Sequence, residues 1–230
     1  MRASDTEPDC IRRETTESRS CSSAFSGARS KIVAVLVALG IFCITGCGAD
    51  SASGYKPQEG DVVFQSLPHN PLIDAIEGAT DSPFSHCGIL HRTKDGWVVI
   101  EAIGPVKETA LAAWIMQGRE KKYTAYRLRE KYRSKVPAFI QAAQGYEGRP
   151  YDIHYDMDDE AIYCSELIYK SFRTVTGEEM GHLQMLGQLN WMPYSAVIQQ
   201  IEGGKLPLER KMITPRALSE APQLEKVFEQ

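Results

Sequence analysis

The stretch Tyr163-Cys164-Ser165-Glu166-Leu167-Ile168-Tyr169-Lys170-Ser171-Phe172 decides how the rest of the chain is read. Leu167, Ile168, Ser171 and Phe172 follow Cys164 at the spacing that lines one face of a helix, which predicts a helix over 164–175. The residues ahead of it, 152–160, are polar and acidic, so Cys164 falls at the helix N-terminus. The first backbone N–H groups of a helix have no internal partners and carry about half a positive charge. A thiol in that field is favoured as the thiolate, the nucleophilic form. The alternative is a small buried cysteine that only packs.

Toward the N-terminus, Ser85-His86-Cys87-Gly88-Ile89-Leu90 predicts a strand, Lys94-Asp95-Gly96 a turn, and Trp97 to Ala102 a second strand, together a β-hairpin. Neighbouring strand residues point to opposite faces, so His86 and Cys87 face opposite ways. If His86 meets Cys164, Cys87 points into packing, and a Cys87–Cys164 disulfide is disfavoured. Glu101 ends an apolar strand, where an unpaired carboxylate is costly to bury. A hydrogen bond to the second ring nitrogen of His86 would satisfy it and complete a set of nucleophile, base and orienting acid. Taken singly, His86 also reads as a structural histidine and Glu101 as a surface acid.

Further strands are expected at 61–65, 106–108 and 123–128, a helix after Asn70-Pro71, helical turns over 111–117, and a helix over 134–146 capped by Ser134. Residues 178–216 read as loops with short helical pieces. Strands followed by helices, rather than alternating with them, argue for an α+β fold: a small antiparallel sheet or barrel packed against helices.

The first thirty residues are too polar to build a core. The apolar run 32–44, preceded by Arg29 and Lys31 and ending Ile44-Thr45-Gly46-Cys47, has the grammar of an export signal. It is shorter than the roughly 20 residues a membrane span needs. The segment resembles a bacterial lipoprotein signal, which implies lipidation of Cys47 and a membrane-anchored protein of the cell envelope. The expected organisation is a signal segment over 1–46, a tether over 47–58 and a domain over 59–230. Without residues 1–46 the chain keeps 20 basic and 25 acidic residues. That balance argues against nucleic-acid binding, and the basic clusters at 119–122 and 127–135 read as a solvated face. The composition, 43% hydrophobic and 24% charged, suits one domain with a real core. Past Cys47 only Cys87 and Cys164 remain, which is no disulfide framework.

Four stretches together, Gly60-Asp61-Val62-Val63-Phe64-Gln65, Ser85-His86-Cys87-Gly88-Ile89, Val99-Ile100-Glu101-Ala102 with Gly104-Pro105-Val106, and Tyr163-Cys164-Ser165-Glu166-Leu167, resemble the motif series of the permuted NlpC-type cysteine hydrolases, in the YiiX/YebB-like branch. Tyr151-Asp152 fits the same series, and the resemblance spans about residues 58–175. It implies a circularly permuted papain-like fold, histidine before cysteine in the chain, with Cys164 as nucleophile, His86 as base and Glu101 as orienting acid. Cys87 departs from the aliphatic residue expected beside the histidine. The implied activity is cleavage of an amide bond, in a peptide such as a cell-wall stem peptide or in an N-acyl or lipid-like substrate. A lipid acyltransferase and a non-catalytic amphiphile-binding envelope lipoprotein are the alternatives.

Tyr151 and Tyr163 are candidate pocket walls for substrate, or else core. Asp156, Asp158, Asp159 and Glu160 could receive a cationic substrate group, or be solvated loop acids. His86, Cys87 and His91 match no common zinc spacing, no phosphate loop is found, and neither a metal nor a cofactor is expected.

Overall fold

The computed structural model describes residues 54–230. The signal segment 1–46, the lipidation site Cys47 and most of the tether 47–58 therefore lie outside the described residues. No helix among the described residues is long and apolar enough to cross a membrane.

The chain opens with strand β1 (Val62–Gln65) and helix α1 (Pro71–Thr80), then the hairpin of β2 (His86–Thr93) and β3 (Gly96–Ala102), and strand β4 (Val106–Ala110). Helix α2 (Leu111–Gln117), strand β5 (Thr124–Leu128) and helix α3 (Val136–Gln144) lead to the long helix α4 (Cys164–Thr176). After it come the short strand β6 (Gln184–Met185), helix α5 (Ser195–Ile201), strand β7 (Lys211–Met212), helix α6 (Pro215–Ser219) and strand β8 (Leu224–Glu229). Six strands form one antiparallel sheet in the order β4-β3-β2-β1-β5-β8, and β6 pairs with β7. The fold is α+β, one antiparallel sheet with helices packed against it.

Period-2 alternation splits β2 between two cores. Cys87 and Ile89 join Phe64, Ile100 and the α4 residues Leu167, Ile168 and Phe172 in the larger one. Leu90 packs with Val63, Val99 and Trp114 of α2 in the smaller one. His86 belongs to this second face, its ring centroid 6.2 Å from that of Trp114. Gly88, between the two, pairs with Glu101. A side chain at Gly88 would strike Val99 Cγ1 at 2.3 Å, so glycine is what allows the two strands to close there.

Local signals explain most boundaries. Asn70 caps α1, its side chain accepting from the N–H groups of Leu72 and Ile73, with Pro71 in the first turn. The expected Ser134 cap is not found: residues 130–135 form a 3-10 turn that buries Tyr132, and α3 begins at Val136 with Pro137 in its first turn. A proline there needs no donor partner, so the helix starts without a side-chain cap. Strand β8, which carries no strong alternation in sequence, covers the edge of β5. Two basic residues expected on a solvated face are instead structural. Arg127 grips the buried Asp61 through Nε and Nη2, both at 2.7 Å, and Arg119 bonds to Glu77 at 2.8 Å.

Candidate active site

Helix α4 starts with Tyr163 as its cap residue, whose N–H donates to the Glu166 carboxylate at 3.2 Å. The first backbone bond within the helix runs from the Leu167 N–H to the Tyr163 carbonyl. The N–H of Cys164 thus stays outside the helical ladder, beside its own sulfur.

His86, Glu101 and Cys164, distant in sequence, come together here. His86 Nε2 lies 2.6 Å from Glu101 Oε2, which leaves Nδ1 for the sulfur. Two further donors hold the carboxylate: the Thr109 hydroxyl at 2.6 Å from Oε1 and the Gln117 amide at 3.0 Å from Oε2. Burial works against the charge on Glu101, but these three bonds outweigh it and lower its pKa. Burial likewise disfavours a charged His86, yet hydrogen bonding with Cys164 and Glu101 and the charges of both raise its pKa to about 9. Hydrogen bonding from Cys87, opposed by burial and aided by His86, holds the Cys164 thiol well below the ordinary thiol range. All three groups are buried. The arrangement favours a thiolate–imidazolium pair backed by a carboxylate, a set able to attack an electrophilic carbon and to move one proton.

Cys87 does not point away from this sulfur as expected. The two residues do face opposite sides of the sheet, but α4 packs on the Cys87 side and both thiols share the larger core. His86, the first residue of its strand, reaches the sulfur from the strand end. Both thiols are free.

A cavity of roughly 100 Å³ borders Cys164. Its walls are mainly apolar, with Leu72, Ile76 and Ala79 from α1 and Val197, Ile198 and Ile201 from α5. Glu202, His154 and Arg210 mark one charged end. Tyr151 lines the cavity, its hydroxyl 3.3 Å from that of Tyr155.

Tyr163 belongs to the core and not to the cavity wall. It is 1% exposed, accepts from the Ile213 N–H at 3.0 Å and donates to Met157 Sδ at 3.1 Å. As the cap of α4 it points beneath the helix, where its hydroxyl finds partners. The acidic loop is partly committed to the chain's own cations, Asp156 to Arg210 at 2.8 Å and Asp159 to Lys170 at 2.7 Å. His91 pairs with Glu59 further along β2, away from His86.

Sequence reasoning missed Thr109, Gln117, Tyr155 and the α1 and α5 linings. Thr109 carried a usable signal: it lies on β4 in register with Val99, on the face that Glu101 shares. Tyr155, with a left-handed φ of 59°, has no signature beyond its strain.

A family model described as permuted papain-like amidase enzyme, YaeF/YiiX, C92 family, matches residues 56–228. The curated protein of Escherichia coli (strain K12) named uncharacterized protein YiiX is 34% identical over 179 residues, which is 76% of this chain and 88% of that protein. The crystal structure of metalloprotein YiiX from Escherichia coli O157:H7 is similar with a TM-score of 0.72 at 33% identity, covering 76% of this chain and 99% of that one.

Proposed function

Since the chain belongs to the permuted papain-like amidase family, YaeF/YiiX, C92, we propose that it is a cysteine amidase that hydrolyses the amide of an apolar acyl chain. One observation carries the reading: a sulfur at a helix tip, in the same buried site as an imidazole–carboxylate pair, borders a cavity walled by aliphatic side chains. An open acidic groove would have favoured amine-bearing stem peptides, and the acids near the site are in part already paired.

Cys164 as thiolate attacks the amide carbonyl carbon, and its own N–H holds the developing oxyanion. His86 gives its proton to the departing amine nitrogen, leaving a thioester on Cys164. Neutral His86 then takes a proton from water, which attacks the thioester and releases the carboxylate. Glu101 fixes the ring with Nδ1 toward the sulfur and supports the imidazolium. Tyr151 contacts the acyl group. Among the described residues no three His, Cys, Asp or Glu side chains converge as a metal site would require. A lipid on Cys47 would hold the enzyme at the envelope, beside lipid-like substrates.

The test is a series of N-acyl amino acids of increasing chain length, with product acid measured. Each methylene buried in the cavity should raise kcat/KM about fourfold, from roughly 0.8 kcal/mol per group. Ile198→Trp should cut the rate on long chains by tenfold or more, since about that change follows from each 1.4 kcal/mol lost, and leave an acetyl substrate unaffected. Rates indifferent to chain length would overturn the acyl reading. Transfer to added amines outrunning release into water would replace hydrolysis with acyl transfer.

The pH profile follows from the charge pair. Because the His86 pKa is raised to about 9, the imidazolium survives neutral pH and is lost as pH rises through that value. kcat/KM is therefore expected to fall on the alkaline side near pH 9, where an unshifted histidine, at about 6.5, would already be neutral.

A further inference from the structure

The proposed mechanism requires Glu101 to stay ionised with a proton beside it. His86 is 2% exposed and Glu101 fully buried, and His86 Nε2 lies 2.6 Å from Glu101 Oε2. Burial disfavours both charges, so the proton between them is drawn toward the carboxylate, which would leave two neutral groups. An imidazole neutralised in this way is a far weaker acid toward the departing amine.

Two neighbouring elements oppose that transfer. From β4 the Thr109 hydroxyl donates to Oε1 at 2.6 Å. From the last residue of α2 the Gln117 amide donates to Oε2 at 3.0 Å, the same oxygen that faces the ring. Trp114, three residues earlier and so on the same face of α2, packs beside the imidazole. Both donors are neutral, so they stabilise the anion without adding a titrating charge. The ionisable groups around Glu101 offer no substitute. Helix α2 carries no charged side chain. On β4, Lys107 is the register partner of Glu101 but is exposed, where solvent screens it, and Glu108 faces the opposite side of the sheet. Helix α4 brings Cys164, whose thiolate attracts the imidazolium but repels the carboxylate.

We infer that Thr109 and Gln117 are positioning residues that keep the shared proton on His86: donating to both oxygens of Glu101, they hold it as the anion and the ring as an imidazolium. The inference rests on His86 being the acid–base residue of the proposed reaction. The lowered pKa of Glu101, despite its burial, agrees with it.

The experiment titrates the Glu101 carboxyl in the full chain by NMR of its labelled carbon, assigned by its loss in Glu101→Gln, and measures kcat and KM on an N-acyl amide. Thr109→Val removes one donor at a half-buried strand position that valine suits, and Thr109→Ser restores it. Gln117→Leu removes the other at similar size. Thr109→Val and Gln117→Leu should each raise the carboxyl midpoint by about one unit and lower kcat about tenfold, with KM held within about twofold. Serine at 109 should return both values toward wild type. A role confined to packing would lower the melting temperature without separating serine from valine, and would overturn the inference. If leucine prevents folding, the Thr109 variants carry the comparison. Wild-type midpoints and kcat in the valine and leucine variants, with His86→Ala inactive, would overturn the inference while leaving the acid–base reading intact. Activity in His86→Ala within about tenfold of wild type would overturn both.

Discussion

Cys164→Ser is expected to lower kcat/KM on an N-acyl amide by about 10⁴-fold or more, the scale on which loss of a nucleophile acts when its partners remain. A serine hydroxyl fits the same space but stays protonated in a site built to hold a sulfur anion. The consequence extends to His86, whose pKa of about 9 depends in part on the adjacent thiolate. Without that charge it should fall, and imidazole proton NMR of the variant would follow it. Folding should be nearly unchanged, because the side chain differs by one atom. Retention of activity within tenfold would mean that the amide is attacked by some other group, and the enzyme reading on Cys164 would have to be abandoned.

Glu101→Gln should cost about 10³- to 10⁴-fold, the scale on which loss of the acid of a nucleophile–histidine–acid set acts. The carboxylate accepts from His86, Thr109 and Gln117 at once. An amide can keep one acceptor oxygen toward His86 and Gln117 and turn its NH₂ to the Thr109 hydroxyl, but it carries no charge to support the imidazolium. Without that charge the His86 pKa should fall, and the alkaline limb of the pH profile should move below pH 9. Stability should also change with pH. The folded-state pKa of Glu101 is lowered, so its ionised form stabilises the fold above the ordinary carboxylate range, and that contribution is lost as pH falls through the folded value. In urea titrations the variant should lack this acid-side dependence. Wild-type activity in Glu101→Gln would remove the carboxylate from the mechanism.

Side chains that repeat with a clear period were readable in the sequence. The α4 helix showed its buried face at every third and fourth residue, and the β2–β3 hairpin its turn at Lys94-Asp95-Gly96, so the positions of Cys164, His86 and Glu101 on their elements followed. What period cannot convey is which side of a sheet a distant helix will cover. Alternation correctly turned His86 and Cys87 apart, but only the packing of α4 reveals that Cys87 is on the nucleophile's side. Tyr163 illustrates the same limit, since its place at a helix start fits a pocket wall or a core cap equally well until Ile213 and Met157 supply its partners. The cavity lining was hidden for a related reason. Its apolar residues come from α1 and α5, more than a hundred positions apart, and each looks in sequence like ordinary core.

The aliphatic walls around Cys164 have an implication for turnover. On the proposed acyl-amide reaction they would grip the acid left after cleavage as firmly as the amide before it, and the new carboxylate would form beside a sulfur that regains its negative charge. Two opposing forces then govern product escape: contact along the tail retards it, and like-charge repulsion at the head expels it. Residence time should lengthen with the tail, so that kcat declines across a homologous series even while kcat/KM climbs.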